Sequence, residues 1–251
     1  MAPKRVKIQI FPDQAALIKD AVAHFIALAN TAIRERGVFS VALSGGNTPQ
    51  PLYEALAANQ NKTRLAWDHI HLFWGDERYV PHNHRDSNYL MVKHALLDHV
   101  SIPQKNIHPV PTEINIWQAA ERYEHEMQKM FTGEWPNFDL ILLGMGEDGH
   151  TASLFPHSAG LHEEYKWFIA NFANEPQAWR LSLSKNAINA ARNIFVIIQG
   201  ADKANMVASV LAGPDQPFEK PIQLISPVNG EMVWLIDQQA AQLLPSAIYP
   251  Q

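Results

Sequence analysis

Three short segments hold most of the side chains able to do chemistry. In "GMGEDGHTASLFP", Asp148 lies two positions before His150, within a loop built on Gly144, Gly146 and Gly149. A histidine on a Gly-rich loop beyond an apolar strand is placed for proton transfer near neutral pH. Its setting beside Asp148 favours a catalytic reading over a purely structural histidine. The segment also fits G-x-G-x-x-G, but Pro156 cuts the following helix short and Phe168 to Ala170 supply no ribose-binding acid, which argues against a dinucleotide site. In "LSGGNTPQPLY", Gly45 and Gly46 let the backbone approach a ligand, and Ser44, Asn47 and Thr48 offer polar groups beside a helix N-terminus. A phosphate site and a plain tight turn capped by Thr48 fit that spacing equally; a P-loop does not, because its lysine is missing.

The third segment, "GDERYVPHNHRDSN", crowds Asp76, Glu77, Arg78, Arg85 and Asp86 together. Such a run is either a solvated charged loop or a source of cations for a phosphate and carboxylates for sugar hydroxyls. Its His82-x-His84-x-Asp86 pattern is similar to the metal loop of metallo-lactonases, but Ser87 stands where the next histidine ligand belongs. Two surface histidines are the simpler reading, and no metal is expected. The chain has no cysteine and no G-x-S-x-G elbow. Thiol nucleophiles, Cys-based metal sites and the common serine hydrolase are therefore excluded, and any hydrolysis would use water as the attacker.

Elements that could carry these loops follow from the hydrophobic periodicity. Val6, Ile8 and Ile10 alternate as in a strand, whereas Leu17, Ile18, Ala21, Val22, Phe25, Leu28 and Ile33 recur at helical spacing, with Asp13 as N-cap and Gly37 as stop. Further strands are expected over 38–43, 69–74, 138–144, 193–200 and 232–237. Helices are expected from Thr48-Pro49, from Asp86 to about Leu97, through the stripe of Trp117, Ala120, Tyr123, Met127 and Phe131, from about Asn186, and from Asp202 to Leu211. The aromatic stripe reads as core. Apolar strands separated by helices predict a mainly parallel sheet covered on both faces, with ligands beyond the C-terminal strand ends.

Composition agrees with one such unit. The 251 residues are 47% hydrophobic and 18% charged, with no linker-like stretch, so a single domain over 1–251 is expected. A net charge of −5 gives no basic field for nucleic acid. No apolar run reads as a membrane span or a cleaved leader, so a cytoplasmic protein without membrane partners is expected. Oligomeric state is left open by the sequence.

Taken together, the three loops resemble those of the glucosamine-6-phosphate isomerase/6-phosphogluconolactonase family, on its lactonase branch. "LSGGNTPQPLY", "WGDERYVPHNHRDSNY" and "FDLILLGMGEDGHTASLFP" are similar to successive family motifs. "WRLSLSKNAINAARNIFVIIQGADKA" and "PVNGEMVWLID" match later segments more loosely, and "NEPQAWR" departs from the family pattern, leaving Arg180 as the retained cation there. The resemblance implies a Rossmann-like α/β fold of the sugar-phosphate isomerase/deaminase kind. It also implies hydrolysis of a small phosphosugar lactone, 6-phosphoglucono-δ-lactone, with neither metal nor organic cofactor. By motif position it makes His150 the general base and Asp148 its support, with Arg78 and Lys203 as cationic partners of the substrate. It lines a phosphate pocket with Ser44, Gly45, Gly46, Asn47 and Thr48, and gives Asp76 a binding or supporting role.

Alternatives on the same fold are a deaminase or isomerase, in which Asp76 would be a carbon base, and a non-catalytic sugar-phosphate sensor. "TASLFP" after His150, and Arg78 where deaminases carry tyrosine, favour the lactonase. A sensor would need a DNA-binding module, for which the early first strand leaves no room.

Overall fold

A computed structural model describes residues 6–174 and 177–246. In chain order it contains β1 (Val6–Phe11), α1 (Gln14–Arg36), β2 (Phe39–Leu43), α2 (Gln50–Ala57), α3 (Asn59–Lys62), β3 (Ile70–Trp74), β4 (Asp76–Arg78), α4 (Asn88–Ala95) and β5 (Ile107–His108). There follow α5 (Ile116–Gln128), β6 (Leu140–Leu143), β7 (Phe168–Ala173), β8 (Ala178–Leu183), α6 (Lys185–Asn189), β9 (Asn193–Ile198), α7 (Ala204–Leu211), β10 (Glu231–Asp237) and α8 (Gln238–Ala241).

The apolar runs assemble into one seven-stranded sheet of order β1-β10-β9-β6-β2-β3-β5, parallel throughout. Every residue of β2 and β6 is buried. Because successive side chains on a strand point to opposite faces, both faces must be covered. Phe25 of α1 meets Phe39 edge-on, while Tyr123 of α5 meets Phe73. Phe39 is in register with Ile70, so Phe73 lies on the other face, and α1 and α5 therefore cover opposite sides. Tyr123 ties α5 down by accepting from Trp74 N–H at 2.7 Å and donating to the His108 carbonyl at 3.0 Å.

The ends of α1 are set as its sequence predicts: Asp13 accepts from Ala16 N–H at 2.8 Å, and Gly37 closes the helix in the left-handed region at φ 80°. By length and composition alone α1 is also apolar enough to cross a membrane, which the residue pattern passes over. In the fold it is a core helix, with Leu17, Ala21, Phe25, Ala29 and others buried against the sheet.

Three expectations are corrected. Thr48 is not the cap of α2; Pro49 holds that position and no side chain caps the helix. The helix carrying the aromatic stripe ends at Gln128, so Phe131 packs from the turn beyond it, and Trp117 stands 53% exposed at its start instead of in the core. Beside the mainly parallel sheet that the sequence predicts, the fold carries a small antiparallel sheet of order β4-β8-β7. Its strand β4 is the charged run Asp76-Glu77-Arg78, too short and polar to show a strand's hydrophobic alternation.

The order of the large sheet fixes where a ligand goes. From β2 the chain steps outward to β3 and β5, then returns on the other side of β2 with β6. Adjacent parallel strands whose connections diverge leave a crevice at their C-terminal ends. The Ser44 and Gly144 loops begin there, one after each strand.

Candidate active site

A cavity of about 450 Å³ opens at this crevice, and most of the residues singled out in the sequence line it: Ser44, Gly45, Gly46, Thr48, Asp76, Arg78, Gly144, Gly146, His150, Arg180 and Lys203. Asn47 faces the neighbouring clefts instead. Asp148 sits behind His150, and Gly149 packs its backbone against Lys220.

The histidine loop is held by its own backbone. Gly146 N–H donates to the His150 carbonyl at 2.9 Å, Gly149 N–H to the Gly146 carbonyl at 3.1 Å, and the Thr151 hydroxyl to the Gly144 carbonyl at 2.8 Å. Asp148 Oδ1 accepts from His150 N–H at 3.1 Å and lies 2.6 Å from the ring Nδ1. A carboxylate acceptor places the ring proton on Nδ1, which leaves Nε2 as the basic nitrogen. Burial pushes the Asp148 carboxyl up, but the hydrogen bonds and charge of His150 outweigh it, and the group lies below the ordinary 3.8. The stability contributed by this ionised contact is complete above the ordinary aspartate range and disappears as pH falls through the depressed folded value. Asp148→Asn is therefore expected to flatten the acid limb of a Tm-versus-pH curve. It should also lower kcat about tenfold or more by releasing the Nδ1 tautomer.

Gly146 is needed for this pairing. A β-carbon there would collide with the His150 ring and stand 2.6 Å from Asp148 Oδ1. Gly146→Ala should thus reduce kcat with little change in Tm, measured by steady-state kinetics beside a thermal melt.

Two sets of groups are candidates for binding an anion. Arg78 of β4 and Arg180 of β8 are register partners across the small sheet and both face the cavity. Arg78 Nη1 donates to the Asp86 carbonyl at 2.8 Å and Arg180 Nη1 to the Trp179 carbonyl at 3.1 Å. Among the described residues neither guanidinium is ion-paired to a carboxylate. Burial first, and then the charge of Arg78, push the Arg180 pKa down against the opposing charges of Asp76, Asp86 and Glu77. On the turn after β2, the N–H groups of Gly45, Gly46, Asn47 and Thr48 have no acceptor among the described residues. Tyr53 fixes that turn by accepting from Ser44 N–H at 3.1 Å and donating to its carbonyl at 2.8 Å. Free N–H groups and paired guanidinia suit a phosphate. Lys203 also lines the cavity, 3.7 Å from both Glu147 and Asp202.

The charged run splits by strand periodicity, and of its two readings the solvated loop does not hold for its first residues. Asp76 and Arg78 face the cavity, while Glu77 points to the other side and is 1% exposed. There its carboxylate accepts from the N–H groups of Arg78 and Asn88 at 2.7 Å, from Tyr89 N–H at 2.8 Å and from the Ser87 hydroxyl at 3.2 Å. Burial raises the Glu77 pKa against the pull of these donors. Glu77→Gln would turn an N–H₂ group toward backbone donors, costing about 2–3 kcal/mol, or roughly 5–10 °C in Tm by calorimetry.

His82 and His84 do not converge. The His82 Nε2 lies 2.7 Å from the Val110 carbonyl, while His84 accepts from the N–H of Asp86 within its own turn. Among the described residues no group of three or more His, Asp or Glu side chains is arranged to hold a metal ion. Tyr53, Asn88 and Ser153 escape sequence reasoning. Asn88 fills the space beside Gly45 and donates to the Asp76 carbonyl at 2.9 Å, and Ser153 donates to the Asp76 carboxylate, contacts that no local spacing reveals.

An open parallel sheet with two Gly-rich loops at its switch point, an Asp-His pair and facing arginines forms one candidate site. The chain belongs to the family of glucosamine-6-phosphate isomerases and 6-phosphogluconolactonases, whose model matches residues 12–234. It is 43% identical to the 6-phosphogluconolactonase of a Nostoc species over 93% of this chain and 96% of that protein. It is also 43% identical to the 6-phosphogluconolactonase of a Synechocystis species, over 97% and 99%. Among solved structures, the 6-phosphogluconolactonase of Trypanosoma brucei superposes with a TM-score of 0.87 at 28% identity, covering 96% of this chain and all of that one.

Proposed function

We propose that this chain hydrolyses 6-phospho-D-glucono-1,5-lactone to 6-phosphogluconate, the lactonase step of the oxidative pentose phosphate pathway. The observation that carries the reading is the single cavity on which the Asp148-supported His150, Arg78 and Arg180 all open. Its relatives named as 6-phosphogluconolactonases, matched over nearly the whole length, support it.

The phosphate binds between Arg78, Arg180 and the N–H groups of the Gly45 to Thr48 turn, which fixes the lactone carbonyl before His150. Nε2 of His150 takes a proton from water as the water oxygen bonds to C1. Lys203 and nearby N–H donors stabilise the oxyanion. Collapse breaks the bond from C1 to the ring oxygen, and the imidazolium returns its proton to that oxygen. A δ-lactone is already an activated ester, so one positioned water and one base suffice without a covalent intermediate or a cofactor.

Residues 1–251 act in this reading as one cytoplasmic domain with a small-molecule substrate and no nucleic acid or membrane partner. The test is to generate the lactone with glucose-6-phosphate dehydrogenase and follow its loss. Turnover well above the spontaneous rate is expected. Ammonia release from glucosamine 6-phosphate would indicate the deaminase instead, and thermal stabilisation by phosphosugars without turnover would indicate a sensor.

A further inference from the structure

Asp76 is an unusual carboxylate for this site. It is 8% exposed, lines the cavity, and among the described residues pairs with no Lys, Arg or His within ion-pair distance. Its Oδ2 accepts from the Ser153 hydroxyl at 2.7 Å, while Oδ1 has only Asn88 Nδ2 at 3.5 Å, too long for a good hydrogen bond. Oδ1 therefore keeps its acceptor capacity beside a cavity whose other charged side chains are chiefly cationic.

Ser153 is locked in place. It is 1% exposed, its N–H donates to Ser182 Oγ at 3.2 Å, and its carbonyl accepts from Asn171 Nδ2 at 2.8 Å. Asn171 is itself bound, to Ser158 Oγ at 2.9 Å and to Gly160 N–H at 3.1 Å. Ala152, left-handed at φ 46°, turns the chain so that His150 and Ser153 line the same cavity.

We infer that Ser153 is a positioning residue that fixes Asp76 as an acceptor for a ring hydroxyl of the substrate. The Ser153 hydroxyl occupies one carboxylate oxygen and fixes the orientation of the other. The oxygen left over remains well suited to accept from a neutral sugar hydroxyl. The inference rests on the lactonase reading.

The test compares wild type, Ser153→Ala, Asp76→Asn and the double variant, each with its Tm, in the coupled lactone assay and in calorimetric titrations with 6-phosphogluconate and with inorganic phosphate. Ser153→Ala is expected to raise KM and weaken 6-phosphogluconate binding about tenfold, with kcat within about threefold and phosphate binding unchanged. Asp76→Asn, whose remaining oxygen still accepts from Ser153 but whose nitrogen cannot accept a hydroxyl, should show the same pattern in a protein of near-native Tm. It keeps the test decisive if Ser153→Ala does not fold. The double variant should be no worse than Asp76→Asn alone. An unchanged KM in either folded single variant, or additive losses in the double, would overturn the role of Ser153 and leave the lactonase intact. A wild type that neither turns over the lactone nor binds 6-phosphogluconate would overturn both.

Discussion

His150→Ala should lower kcat for the lactone by about 10²- to 10⁴-fold, the span typical of losing a positioned general base, while KM and Tm stay near their wild-type values. The expectation follows from the ring's partners. Nδ1 is taken by Asp148 and the backbone of the loop is held at Gly144 and Gly146, so the ring has one free nitrogen in a fixed orientation. None of the loop's anchoring hydrogen bonds to Gly144 and Gly146 uses the imidazole, which is why the fold should survive its removal. Steady-state kinetics on the purified variant, corrected for spontaneous hydrolysis, measure the effect.

Removing Arg78 or Arg180 should act on the other kinetic constant. In the proposed complex each guanidinium would face a doubly charged phosphate, among the described residues neither is ion-paired to a carboxylate, and a hydrogen bond to a charged group is worth about 1.5–3 kcal/mol. Arg78→Ala and Arg180→Ala are therefore each expected to raise KM roughly 10- to 100-fold. The chain as a whole carries −5, so the attraction is local, and the loss should be largest at low ionic strength and shrink as salt screens the wild type. KM measured across a salt series checks both points; an unchanged KM in Arg78→Ala would remove it from the phosphate site.

What the sequence disclosed and what it hid divide along the range of the interactions involved. The parallel sheet and the loops after β2 and β6 were legible because a buried strand, a glycine turn and a helix start are adjacent in the chain. Asp148 and His150 were legible for the same reason, being two positions apart. The small sheet was not, since β4 is three charged residues whose partner strand β8 comes late in the chain. With it went the pairing of Arg78 with Arg180 and the burial of Glu77, both products of strand periodicity in a strand that sequence alone shows as a loop. Ser153 lies 77 positions from Asp76, so only the folded chain shows their contact. Thr48 and Trp117 failed for a different reason. A residue type that commonly caps or fills a core was given its commonest role, and here Pro49 holds the cap position while Trp117 packs edge-on against the half-exposed Trp179.

The central claim is that the Nε2 nitrogen of His150 activates the attacking water, and chemical rescue tests it most directly. Lactone loss would be followed with His150→Ala of native Tm, with and without added imidazole, against wild type and the spontaneous rate. The account predicts a variant close to the spontaneous rate whose activity rises with imidazole concentration, while wild type is unaffected. Wild-type turnover in His150→Ala without imidazole would contradict it.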